Sequence, residues 1–476
     1  MRLWRQSFAR RKFATPFLTA ALVLTLVILS CSQPAGALPA FARKYGLRCS
    51  ACHESWPMLN YFGQKFKDNG YQLMNDRDAP IWQNPSYWPV TFRILPIWHR
   101  VSTGKVAVDT ASGGTTEQRI TSSGFDISGL DFHTGGTLEK NFSFYVLPSS
   151  DNTASFHFET VMARLDNLFG SPWMNIKLGK FELDNLLSEK RILTLTGNGG
   201  IYQLYHFIPQ GDNNIFGQMG DNQLGLEFMG HSANDRTRYS AALLSSSDGQ
   251  PGLIYGANSY SGFFAASQAF DVGKLGVDRI GAYAMIGLAP TTWITSGGPN
   301  SPIGGSGIGN KSYHREGLVG QFYFGQHFDL QVVTQHGWDN AWFGQGYGDF
   351  VDNPSGTCNG GTQPCNNTPG TTLPPGSQAP TWNGVLIEPH YVYSPQLIFV
   401  GRYETIRMSR QATPGTPSNL GNISTYTIGY RYNPFMTSRA GFAWHNEYNW
   451  LHQDGTSPSG NNINTSELLL GFDFDF

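Results

Sequence analysis

The sequence predicts an all-β fold, a transmembrane outer-membrane β-barrel of about 16 antiparallel strands, with a small helical segment ahead of it plugging the lumen. Three observations predict this. The first is an export signal. Arg2, Arg5, Arg10, Arg11 and Lys12 precede an apolar run from Phe17 to Leu29 and the small residues Ala35-Gly36-Ala37. That is the basic, apolar and small-residue order of a secretory signal peptide, and its apolar part is too short to cross a bilayer as a helix. The second is composition: 56 Gly, 14% aromatic and only 14% charged residues, with no helix-length apolar span after residue 37. A barrel strand alternates between lipid and lumen, so it never looks hydrophobic overall. The third is the alternation itself, clearest at the carboxyl end. Leu468, Leu470, Phe472, Phe474 and Phe476 fall on one face, and Leu469, Gly471, Asp473 and Asp475 on the other.

The expected organisation is a signal peptide over 1–37, a cytochrome-like segment over 38–89 and the barrel over 90–476. Cys31 offers a rival lipoprotein cleavage, which Leu29-Ser30 fit poorly. Removing residues 1–37 takes the formal net charge from −2 to −7. A modestly acidic exported chain is not built to bind nucleic acid, and its acids read as solvated surface.

Within 38–89 the chemistry lies in Cys49-Ser50-Ala51-Cys52-His53. A C-x-x-C-H run reads as covalent attachment of one haem c. Cys49 and Cys52 form thioethers from one helical turn, and His53 is the proximal iron ligand. A zinc site needs two further ligands nearby, and a C-x-x-C redox pair wants a βαβ unit; the sequence supplies neither. Leu59, Phe62 and Phe66 recur at helical spacing, with Pro57 placed for the first turn and Asn69-Gly70 for the stop. That aromatic stripe packs on the porphyrin or on a barrel wall. Met74 is the expected distal ligand, because Met raises the haem potential. His99 and His133 are rivals, and Met58 lies too close to His53 to reach the far face. Some fifty residues cannot shield a haem unaided, so the segment needs another surface to lean on.

Strands are expected near 90–103, 120–134, 137–147, 153–165, 173–182, 221–231, 236–246 and 259–272. Eight more follow near 278–290, 311–325, 328–337, 383–393, 396–408, 423–433, 436–448 and 463–476. The count is sixteen, or eighteen if a hairpin hides around Tyr202 to Phe207; an even number suits a bacterial barrel. Long connections at 104–119, 183–220, 247–258, 291–310, 338–382, 409–422 and 449–462 alternate with short ones, except that 148–152, which should be long, is short. Both chain ends therefore fall on the periplasmic side. Cys358 and Cys365, in a Gly- and Asn-rich loop, read as a disulfide in an oxidising compartment. Arg402, Glu404, Arg431, Arg439, His445, Glu447, Asp473 and Asp475 face the lumen, either to meet a solute or to pair with one another.

Lipid hydrocarbon is about 30 Å thick, so a redox group beside the membrane connects nothing, whereas one inside a barrel can connect both sides. The stretch Phe41-Ala42-Arg43-Lys44-Tyr45-Gly46-Leu47-Arg48 running into the motif resembles the fused outer-membrane monohaem cytochrome–porins. The best-known members of that family oxidise ferrous iron. Their signature has Gln-Thr after Phe-Ala-Arg where this chain has Lys44-Tyr45, a version shared by relatives with other roles. The resemblance implies an electron conduit from an extracellular donor, ferrous iron foremost, to a periplasmic c-type cytochrome or other carrier. It implies Cys49, Cys52 and His53 as haem anchors and a ferrous iron:cytochrome oxidoreductase activity. The competing expectations are exchange with another metal, mineral or electrode, and a diffusion porin with a haem-bearing plug. Outer-membrane lipid is the expected surround, and an oligomer is possible.

Overall fold

A computed structural model describes residues 39–55, 58–73, 90–150, 156–183, 222–245, 260–290, 310–340, 378–410, 422–436, 440–454 and 461–475, with a few isolated positions between. Sixteen antiparallel strands close into one barrel. In chain order they begin with β1 Val90–Asp109, β2 Thr115–Glu139, β3 Phe142–Ser150, β4 His157–Leu165 and β5 Asn175–Phe181. Next come β6 Gln223–His231, β7 Thr237–Ser245, β8 Tyr260–Asp271, β9 Val277–Pro290 and β10 Asn310–Tyr323. The last six are β11 Phe328–Asp339, β12 Thr381–Ser394, β13 Leu397–Arg410, β14 Ile423–Met436, β15 Gly441–Gln453 and β16 Ile463–Asp475. Each pairs with its neighbour in sequence, and β16 closes on β1 through Leu469↔His99 and Phe474↔Ile94. Each expected strand overlaps one of these.

The alternation has a physical reason. On β16, Leu468, Leu470 and Phe472 are exposed on the outer face while Leu469 and Asp473 are buried. On β14, Tyr426, Ile428 and Tyr430 point outward while Thr425, Thr427 and Arg431 point in. An apolar outer surface around a closed wall is the form in which strands cross a membrane, because closure leaves no backbone group unpaired in lipid. Thirteen residues of β16 at about 3.4 Å each, tilted about 45°, reach roughly the 30 Å of the hydrocarbon layer. Pro96 and Pro148 sit inside strands only where the register shifts, at Leu95/Pro96 and Leu147/Pro148, which is where a residue without an N–H is tolerated.

One expected loop is instead strand. Residues 104–119 are paired from Thr103↔Ile120 to Asp109↔Thr115, leaving five residues as the turn. Val106 and Val108 and the Thr-rich return strand favour pleated backbone, and Gly113 and Gly114, both at positive φ, make the tight reversal that the sequence reading spread over sixteen residues. At the opposite end the connections are short, such as 232–236 and 324–327. The chain enters β1 and leaves β16 at that same end.

Ahead of the barrel lie α1 Pro39–Tyr45, α2 Cys49–Cys52 and α3 Tyr61–Asp68, with a small ladder between His53–Ser55 and Met58–Leu59. The helix expected from Pro57 begins later. Leu59 pairs with His53 in the ladder, and Asn60 caps the helix by accepting from the Gly63 N–H at 2.9 Å, the role for which Asn is preferred. Asn69 and Gly70, the latter at φ +71°, end it as expected. Phe66 packs on Phe41, Tyr45 and Tyr71, and Tyr71 stacks on Tyr145 of β3 at 6.0 Å. One cluster of buried apolar side chains continues from Phe66 through Tyr283 and Val319 to Leu204, Phe207 and Trp382 near the far rim. The signal peptide, residues 74–89 with Met74, most of the Tyr202–Phe207 stretch, Cys365 and Arg439 lie outside the described residues.

Candidate functional site

The site is built where the amino-terminal segment meets the barrel wall. Cys49 and Cys52 bound one helical turn, α2. His53 follows at once and is 5% exposed. The turn is held by Asn60. Its backbone N–H donates to the Cys52 carbonyl at 2.9 Å, and its side-chain amide donates to Ala51 O at 3.1 Å and Ser50 O at 3.3 Å. Close approach of α3 is possible because residue 63 is Gly; a Cβ there would overlap the Cys52 carbonyl oxygen.

The wall grips the segment from many strands. Tyr323, at the end of β10, donates to Glu54 at 2.9 Å, and Gln331 of β11 donates to the Met58 sulfur at 3.2 Å. Met58 is buried against Ile398 and Val400 of β13, so its sulfur is turned to the wall. Arg164 of β4 donates to Lys67 O at 2.8 Å and Asp68 O at 3.0 Å, two carbonyls of the last turn of α3, and pairs with Asp166 at 2.7 Å. Arg238 of β7 pairs with Asp68 at 3.1 Å, and Tyr61 donates to Asn234 O, in the β6–β7 turn, at 3.1 Å. These partners were not legible in the sequence, since an inward Arg on an alternating strand looks the same whether it meets water or a plug.

Electrostatics set the local chemistry. Burial pushes the Cys52 thiol up to about 11. Burial, with Asp329 nearby, raises the Glu54 carboxyl to about 7, against the hydrogen bond from Tyr323. Beyond Glu54, Asp329 accepts from His390 at 2.9 Å, His390 meets Glu388 at 2.6 Å, and Glu388 pairs with Arg402.

Of the lumenal charges named from the sequence, Arg402, Glu404, Arg431, His445, Glu447 and Asp473 are buried inside the wall, and several pair with one another or with other inward charges. Asp473 lies 2.9 Å from Arg93 and 2.5 Å from Arg431, Arg93 also reaches Asp131 at 3.2 Å, and His445 meets Glu447 at 2.7 Å. Of the rival histidines, His133 meets the Tyr145 hydroxyl at 2.6 Å, and His99 lies 3.9 Å from Glu467. Cys358 sits in a two-residue ladder opposite Gln363.

The residues present fit a covalently held haem. The donor set is two Cys on one turn followed by a buried imidazole, the set that c-type attachment requires. A small pocket, partly open to solvent, lies between α3 and strands β6–β10, lined by Gln64, Asp68 and His231 among others. The His231 Nε2 is buried with no hydrogen-bond partner among the described residues.

No protein-family model matches the chain, and no curated protein matches it. Several solved structures are similar. The outer membrane channel DcaP of Acinetobacter baumannii is 9% identical, over 81% of this chain and 97% of that one, with a TM-score of 0.46. A loop-deletion mutant of OmpT, an outer membrane protein of Vibrio cholerae, is 10% identical over 81% and 99%, with a TM-score of 0.44. An anion-selective porin from Comamonas acidovorans is 11% identical over 81% and 99%, with a TM-score of 0.42. At such values the architecture rests on this chain's own pairing. By that pairing, and by the side chains it turns outward, the chain is a porin-like, sixteen-stranded membrane barrel.

Proposed function

We propose that the chain is an outer-membrane electron conduit carrying one covalent haem c. Cys49 and Cys52 are its thioether anchors and His53 its proximal iron ligand. One electron leaves an extracellular donor, ferrous iron foremost, which becomes ferric, and one electron reaches a periplasmic c-type cytochrome, whose iron becomes ferrous. The bound haem supplies the one-electron exchange between them. The protein's own part is to hold the motif turn, exclude water and give the donor a path across the lipid. The observation that supports this reading is the position of the motif inside the wall: His53 is buried, and the residues beside it are bonded to Tyr323 and Gln331. The buried apolar cluster that runs from the amino-terminal segment to Trp382 supports a conduit over an open diffusion pore.

The test is to add ferrous iron to intact cells and follow reduction of the haem spectrum, with Cys49→Ala/Cys52→Ala cells as the blank. Prompt reduction supports iron as donor. A haem that dithionite reduces and iron does not removes iron and leaves the conduit. Planar-bilayer recordings separate the porin alternative, since large, steady conductance from the holoprotein would favour diffusion.

A further inference from the structure

We propose that the short-turn rim of the barrel, the end expected to face the periplasm, docks its electron carrier through a belt of unpaired cations. The carrier it fits is a protein with an acidic face around its own redox centre. The inference rests on the conduit reading above and adds the place and the chemistry of the second partner. Four cations on this rim form no ion pair among the described residues. They are Arg48, just before the motif, Lys65 of α3, Lys140 in the β2–β3 turn and Lys274 in the β8–β9 turn. Arg48, Lys140 and Lys274 are exposed, and Lys65 is half-buried. Two exposed carboxylates share the rim, Glu139 and Asp271, and Asp271 pairs with Arg236 at 3.7 Å. The rim is therefore basic in a chain whose exported part carries a formal charge of −7.

A series of contacts joins these cations to the motif. The Ala51 N–H donates to Arg48 O at 2.9 Å and the Asn60 N–H to Cys52 O, so Arg48 and α3 are held by one turn. Tyr61 of α3 donates to Asn234 O in the β6–β7 turn, Arg236 of that turn reaches Asp271, and the turn after Asp271 carries Lys274. On the other flank Arg164 holds the Lys67 and Asp68 carbonyls, and the Asp166 N–H donates to Asn141 O at 2.8 Å, beside Lys140. The bilayer is not the occupant. β4 and β7 grip α3 from one side, and β10, β11 and β13 grip the motif end from the other, so Arg48 and Lys65 sit within the ring of strands and out of reach of lipid. Unneutralised charge suits a brief encounter. Electron-transfer complexes are small and weak, and opposite charge speeds and orients their formation.

The experiment uses purified full-length holoprotein in phosphatidylcholine nanodiscs, reduced with dithionite and freed of the excess. The probes are a lysine-rich ferric mitochondrial cytochrome c and the same protein with its lysines succinylated, which makes its face acidic. One electron passes from the holoprotein to the probe, whose iron becomes ferrous, and stopped-flow absorption follows it. At about 0.01 M salt, where the screening length is about 30 Å, the acidic probe should be reduced at least about tenfold faster than the basic one. About 1 M salt, with a screening length of about 3 Å, should remove the difference. Lys65→Glu/Lys140→Glu/Lys274→Glu should reverse the preference at low salt. Equal rates, a faster basic probe, or a preference that survives the charge reversal overturns the proposal. If that variant does not fold, Lys140→Glu/Lys274→Glu, confined to exposed turns, decides by the same comparison. A variant that changes neither rate but loses its association with phosphatidylglycerol vesicles assigns the cations to lipid and overturns the proposal. Wild-type protein without a pyridine haemochrome overturns the haem reading alone. The belt is then judged by binding of the two probes to the nanodiscs, where the acidic probe should bind and lose its binding on charge reversal, and equal binding of both probes refutes it.

Discussion

Arg164→Met should undock the amino-terminal segment while leaving the barrel closed. The guanidinium is 1% exposed, and its contacts include Lys67 O, Asp68 O and Asp166. The two carbonyls belong to the last turn of α3, where helix carbonyls have no partner within the helix. Hydrogen bonds from a charged donor contribute about 1.5–3 kcal/mol each. Removing one member of a buried ion pair costs about 3–5 kcal/mol, because the survivor is left unpaired. These losses overlap, so about 4 kcal/mol is a fair total for docking, roughly a thousandfold in the open population. Hydrogen exchange in detergent reads it directly: amides of residues 61–73 should exchange at least a hundredfold faster in the variant. Heat-modifiable migration on gels should show the barrel still folded. Arg164→Met/Asp166→Asn should recover part of the loss, since no carboxylate is then stranded. Exchange within twofold of wild type, with the barrel intact, would refute the latch.

Gly63→Ala forces a methyl against the Cys52 carbonyl, an overpacking cost of about 1–3 kcal/mol; amides of α3 should exchange faster in the variant, and unchanged exchange would contradict the close approach. Asp473→Asn leaves Arg93 and Arg431 without their shared carboxylate, so barrel stability should drop by about 3–5 kcal/mol in urea titration. The pH dependence follows from Glu54. A carboxyl raised from 4.5 to about 7 holds its proton longer when docked. Docking should therefore weaken as pH rises from about 4.5 to about 7 and level off above. Exchange of residues 61–73 followed against pH checks this, and Glu54→Gln should flatten the profile.

The barrel was legible in the sequence because lipid and lumen impose opposite demands on alternate residues, and that period survives even in single strands such as β16. The Cys49–His53 run was legible as a motif because its reading lies in residue type and spacing alone. The latches were not. Arg164, Arg238, Tyr323 and Gln331 meet the segment only through closure of a long chain, and nothing local marks them. The 104–119 ribbon was missed for the opposite reason: its Ser, Thr and Gly look like loop until a partner strand is laid beside them.

The grip on the amino-terminal segment spans great lengths of chain. Glu54 and Tyr323 are 269 residues apart, and Met58 and Gln331 are 273 apart. Contacts so remote in sequence form late, because the entropy of closing the intervening loop must be met before any of them is made. The first-synthesised part of the exported protein therefore waits for most of the wall. During that wait its Cys pair stands open to solvent, and that is the interval in which the haem proposed above would be joined, before the cylinder is sealed around it.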